Sequence, residues 1–167
     1  MKLVWTPGVV LVVLVICLEA YVNLSASQLP EEVASHFGFS GQADDWMSRS
    51  EWTVVMSIAG AAIPAFFVLI AMVLPLTPAR FVNIPDRDYW LAAERRRETF
   101  AYMSDTVLWI GCAMVTFFAW MQYLTIEANT ISPAQLPMGL LSAGSIGLIV
   151  VSIALVIRVM RRFARPA

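Results

Sequence analysis

LPEEVASHFGFSGQADDWMSRSEW, residues 29–52, holds the chain's single histidine, His36. It also holds Glu31, Glu32, Asp44, Asp45 and Glu51, five of the twelve acids. One long apolar run precedes it and three follow. Each is long enough, or nearly so, to cross a hydrocarbon core of ~30 Å. Apolar residues make up 59% of the 167 and charged residues only 14%, too few charges for an ordinary soluble surface. The hydrophilic stretch is therefore a loop between membrane crossings. The expected architecture is all-α, an integral membrane four-helix bundle in one domain. Its helices fall at about residues 3–24, 52–76, 106–126 and 133–160. An outer loop covers 25–51 and an inner loop 77–105.

Within the outer loop, Pro30 followed by Glu31 and Glu32 matches the first turn of a short helix, where proline and acids are both favoured. Gly38 would end it, and Phe39–Ser40–Gly41 reads as a turn. Ser48 and Glu51 have capping-box spacing, with Met47 and Trp52 at the staple positions. That spacing starts the next helix near Arg49.

The first apolar run also fits a signal peptide, with Ser25–Ala26–Ser27 imitating a cleavage site. It extends past a usual signal core, however, and Tyr21 suits an interfacial anchor. Glu19 lies inside this run, and Gln122 lies near the outer end of the third. Both are polar candidates at membrane depth. Pro64 falls in mid-helix and predicts a kink. Ser57, Ala61 and Ala65 share one face of the second helix at four-residue spacing. Gly139, Ala143 and Gly147 do the same on the fourth, and both faces suit close helix contact. Ser132–Pro133–Ala134–Gln135 carries the signals of a helix start. In the inner loop, Asp88 is a candidate cap for a helix from Tyr89–Trp90 to Glu98. Trp90, Leu91, Phe100 and Tyr102 would lay one side of it against lipid headgroups.

Basic residues set the orientation. With both termini in the cytoplasm, Lys2, the five arginines from Arg80 to Arg97, and Arg158, Arg161, Arg162 and Arg165 all lie inside. Only Arg49 is outside. The C-terminal cluster matches anionic lipid headgroups rather than nucleic acid.

His36, Asp44 and Asp45 are the weak candidates for a metal site, since they supply nitrogen and oxygen ligands. One histidine is thin for zinc, and the spacing follows no metal motif. Cys17 and Cys112 both lie in apolar runs, away from His36, so no nucleophile–base pair emerges. No catalytic residue and no cofactor is expected.

Two blocks carry a resemblance. The first, Leu29, Pro30, His36, Gly41, Asp44 and Trp46, resembles the bacterial membrane family called domain of unknown function 1648. The second, NIPDRDYWLAAERRRE, is similar to that family's cytoplasmic stretch. It comprises Asn83, Ile84, Pro85, Arg87, Asp88, Tyr89, Trp90, Leu91, Glu94 and Arg95, with Ala93 where the family usually has proline. The resemblance implies a multi-pass protein of the bacterial inner membrane. It also implies similarity to the N-terminal domain of a sporulation-delay toxin immunity protein, without the further C-terminal membrane domain. The expected function is a non-enzymatic accessory or sensing protein. Its outer loop would meet a peptide or protein, and its inner block a cytoplasmic partner. The alternatives are a small-molecule or ion transporter acting as a homodimer, and an intramembrane enzyme.

Overall fold

The computed structural model describes residues 5–164. Lys2, Leu3 and Arg165 lie outside the described residues. Five helices and one hairpin follow in order: α1 (Trp5–Ser25), β1 (Glu32–Phe37), β2 (Ala43–Ser48), α2 (Arg49–Val73), α3 (Arg87–Trp90), α4 (Ala93–Asn129) and α5 (Met138–Phe163). Four of these, α1, α2, α4 and α5, are long and apolar enough to cross a membrane. Helix α4 has 37 residues. At 1.5 Å per residue it is about 55 Å long, well beyond the hydrocarbon thickness.

α4 is the central post. α1 and α2 pack on it and on each other, while α5 packs on α4. The core contains Leu11, Leu18, Val22, Trp52, Leu108 and Val115. α5 is different, with Phe163 its only buried residue among those described. Its outward Ile146, Ile149, Val150 and Ile153 suit hydrocarbon rather than water.

Several local readings needed revision. The outer stretch is an antiparallel hairpin and not a short helix. Val33 and Ala34 are both buried, and the register slips between Ala34 and His36. That bulge breaks the alternation that would have marked a strand. The acids after Pro30 are exposed strand-entry positions, not a helical first turn. Ser48 does cap α2 through a full capping box with Glu51.

Ser132–Pro133–Ala134–Gln135 does not begin a helix. Gln135 instead bridges to Gln42, and the Leu136 amide donates to the Gly41 carbonyl at 2.8 Å. The backbone of this strip is committed to the hairpin, so α5 starts only after Pro137. The inner helix splits at Leu91–Ala92 into α3 and the start of α4. Asp86, not Asp88, precedes α3, in left-handed conformation at φ 47°. Trp90 and Phe100 are buried rather than spread on headgroups. Trp90 meets Phe163 edge-on, with the Arg162 guanidinium 4.6 Å from its ring centre.

Both small-residue stripes are displaced by one position. Ser57 does meet α1, its hydroxyl accepting from Asn23 Nδ2 at 3.4 Å, but Ala61, Ala65, Gly139, Ala143 and Gly147 are exposed. The contacts fall instead at Gly60, whose missing side chain makes room for the Glu19 carboxyl, and at Gly144, which seats the Trp120 indole. The indole N–H also donates to the Leu140 carbonyl at 3.2 Å.

At the arginine-bearing end, α5 is fastened by charge. Arg158 donates to buried Asp105 at 3.2 Å, and Arg162 to Glu98 at 2.7 Å. Arg158→Gln should lower stability in detergent by about 1–3 kcal/mol, because it strips a buried acceptor of its cation. Adding Asp105→Asn should recover part of that loss. Thermal unfolding followed by circular dichroism reads both variants; strictly additive losses would show that the two side chains do not interact.

Candidate functional site

The hairpin end of the bundle gathers most of the outer candidates. Leu29 and Val33 are buried in the main core and anchor the strand entry. Gly41 is the turn residue with φ of 80°. A Cβ there would lie 2.7 Å from the Leu136 carbonyl oxygen, so glycine is required both by conformation and by space. The Gly38 amide donates to the Gln42 carbonyl and the Gly41 amide to the Gly38 carbonyl, each at 2.9 Å.

The hairpin is tied to α4 by one side chain. Asn129 Oδ1 accepts from the Ala34 amide at 2.7 Å, and its Nδ2 donates to the Ala34 carbonyl at 3.1 Å. A side-chain amide thus behaves as a third strand at that point. It satisfies both backbone groups of a buried residue that would otherwise be costly. On the other strand, the Ala43 amide donates to the Ala134 carbonyl at 3.4 Å. Together these contacts hold the hairpin from both edges.

What the hairpin presents outward is aromatic and charged. Phe39 is fully exposed at the turn and Trp46 is 53% exposed on β2. His36 Nδ1 contacts Asp44 Oδ1 at 2.5 Å, with both side chains largely in solvent. Asp45 is the register partner of His36, but its carboxylate turns back to accept the Trp46 amide at 2.9 Å. Among the described residues, no three His, Cys, Asp or Glu side chains gather around one point. His36 and Asp44 therefore meet as a pair, and Asp45 stands apart. The hydrogen bond from His36 to Asp44, with the carboxylate's charge, raises the histidine pKa from its ordinary 6.5.

The inner candidates lie at the opposite end. Asn83, Pro85, Arg87, Asp88, Tyr89 and Glu94 are exposed. Arg87 pairs with its neighbour Asp88 at 3.2 Å. Arg95 donates to the Tyr89 carbonyl at 2.8 Å and lies 3.9 Å from that ring's centre. Trp90, buried beneath them, belongs to packing.

Between the two ends, two membrane-depth oxygens have no partner. Glu19 Oε1 sits buried against Gly60, and Gln122 Oε1 is buried on α4. Gln122 Nε2 lies 3.0 Å from Met56 Sδ. Pro64 lacks an N–H, so the Gly60 carbonyl loses its helical donor beside that same carboxyl.

Sequence reasoning missed Asn129, Asp105 and Arg158. Asn129 carries no local signal, because its partner is 95 residues away. Arg158 stands inside an apolar run, and that misplaced charge was the available clue to Asp105.

Residues 10–61 match the family model described as Domain of unknown function (DUF1648). Over these residues, about a third of its length, the chain is similar to that family. The match spans most of α1, the hairpin and the first half of α2, so it includes the outer block and stops before the block from Asn83 to Glu98. No curated protein and no solved structure matches the chain.

Two outcomes follow from this geometry. Nuclear magnetic resonance titration of His36 should give a pKa above the ordinary value, and Asp44→Asn should bring it down. Because the folded pKa is the raised one, the pair's support for the hairpin is complete below the unfolded pKa. It fades as pH rises through the folded pKa. An unchanged midpoint in Asp44→Asn would remove the pair from solution. Separately, Asn129→Ala should cost about 1–3 kcal/mol by orphaning the Ala34 amide and carbonyl. Amide exchange at Ala34 should accelerate ahead of exchange in α2.

Proposed function

We propose that this chain is a non-enzymatic accessory or sensing protein of the bacterial inner membrane, with both ends of the chain in the cytoplasm. Its hairpin faces outward to receive a peptide or protein. The orientation rests on charge, since among the described residues every arginine but Arg49 falls at the end opposite the hairpin. The observation that carries the reading is the hairpin itself. It is pinned by Asn129 and by the strip from Ala134 to Leu136, yet it offers Phe39 and Trp46 to solvent. Rigidly held, outward aromatic side chains are what a recognition surface needs, because little ordering remains to be paid for on binding. Peptide-toxin immunity or signalling is the finer form of this reading, and its support is the likeness of the outer block.

A second reading is transport by a homodimer. Its support is the unpartnered Glu19 Oε1 and Gln122 Oε1 at membrane depth, beside a helix interrupted by Pro64.

One experiment separates them. A photoreactive phenylalanine analogue replacing Phe39 should crosslink in native membranes to a discrete peptide or protein, and Trp46→Ala should weaken that adduct. The same analogue at Ile153, on the outward face of α5, should give lipid adducts alone. If position 39 also yields only lipid or water products, the recognition reading fails. Proteoliposome ion flux that responds to Glu19→Gln would then favour transport.

A further inference from the structure

At the arginine-bearing end, a groove of about 720 Å³ opens between α1, α2 and α4. Gly8 and Val12 line it from α1, Met72 from the end of α2, Pro75 from the turn that follows, and Phe100 and Leu108 from α4. Its wall is apolar over most of its length. Arg96 and Arg97 complete the lining at its α4 N-terminal end. From Arg96 to Leu108 the α4 wall rises about 18 Å, at 1.5 Å per residue. The groove therefore runs from the membrane interface well into hydrocarbon depth.

Of the arginines described at this end, Arg80, Arg95, Arg96, Arg97 and Arg161 have no carboxylate partner among the described residues, and of these Arg96 and Arg97 line the groove. Arg87, Arg158 and Arg162 pair with Asp88, Asp105 and Glu98. Arg95 is occupied by Tyr89. Among the described residues, no carboxylate pairs with Arg96 or Arg97. Arg96 is nevertheless held in place. It donates to the Thr77 carbonyl at 3.2 Å and lies 5.1 Å from the Phe100 ring centre. A guanidinium has five N–H donors in a planar fork, so most of its capacity is still free.

We infer that this groove binds one anionic phospholipid, with its headgroup on Arg96 and Arg97 and an acyl chain along the wall from Phe100 to Leu108. Charge complementarity selects the headgroup, and apolar depth selects the chain. An extended anionic peptide would satisfy the arginines but leave its backbone polar groups unpaired against this wall. A soluble phosphate would leave the wall bare. This site is at the opposite end from the hairpin and does not depend on the recognition reading above.

The test is native mass spectrometry of the full chain released from detergent, with phosphatidylglycerol or phosphatidylcholine at equal concentration. One phosphatidylglycerol per chain should be retained in preference to phosphatidylcholine. The preference should be on the order of 30-fold, the effect of two arginines near an anionic headgroup. Arg96→Gln with Arg97→Gln should abolish the preference, and Arg161→Gln should not. Gly8→Leu tests the chain-binding wall, since a Cβ added at Gly8 meets nothing within 4 Å. It should reduce retention of both lipids. Equal retention of the two lipids overturns the proposal. So does an adduct indifferent to the Arg96 and Arg97 changes, one lost equally in Arg161→Gln, or equal binding of glycerol phosphate without acyl chains.

Discussion

Helices in lipid gain nothing from expelling water, so they must be held by close contact and by polar groups that find one another. This bundle depends on that constraint throughout. Close contact is made where a side chain is missing. Gly60 admits Glu19, Gly111 seats against Phe67 and Gly144 seats against Trp120. Polar fastening is concentrated at the two ends. The Asp105–Arg158 and Glu98–Arg162 pairs close one of them, and Asn129 with its two bonds to Ala34 closes the other. Between its fastenings α5 remains largely uncovered, which a lipid environment permits and water would not.

The two ends differ in chemistry as well as in position. The hairpin end is tethered along both strands and presents Phe39, Trp46 and the His36–Asp44 pair. The opposite end is dense in arginine, most of it already matched by carboxylates or aromatic rings. The matched segment, residues 10–61, carries the whole hairpin, most of α1 and the first half of α2. The arginine end beyond α1 lies outside that segment.

The membrane-depth polar groups are the least comfortable part of the structure. Glu19 Oε1 and Gln122 Oε1 lie buried without partners, and Pro64 frees a carbonyl next to Glu19. Unpartnered polar atoms in hydrocarbon are expensive. Their presence inside the bundle is the physical reason transport stands as the second reading.

The four crossings, the Ser48–Glu51 cap and the pairing of basic residues with one end were legible in the sequence. Each rests on length, composition or a spacing of a few residues, which a chain carries wherever it folds. The hairpin, the late start of α5 and the burial of Trp90 were decided by tertiary structure. In each case local signals were overruled by partners remote in sequence. Asn129 and the strip after Ser132 made strands cheaper than a helix for residues 32–48, and Phe163 with Arg162 covered an indole that would otherwise have met lipid. The one-residue error in both small-residue stripes has the same origin. Periodicity identifies a face to within one position, but only the neighbouring side chain, Glu19 or Trp120, determines which glycine must give way.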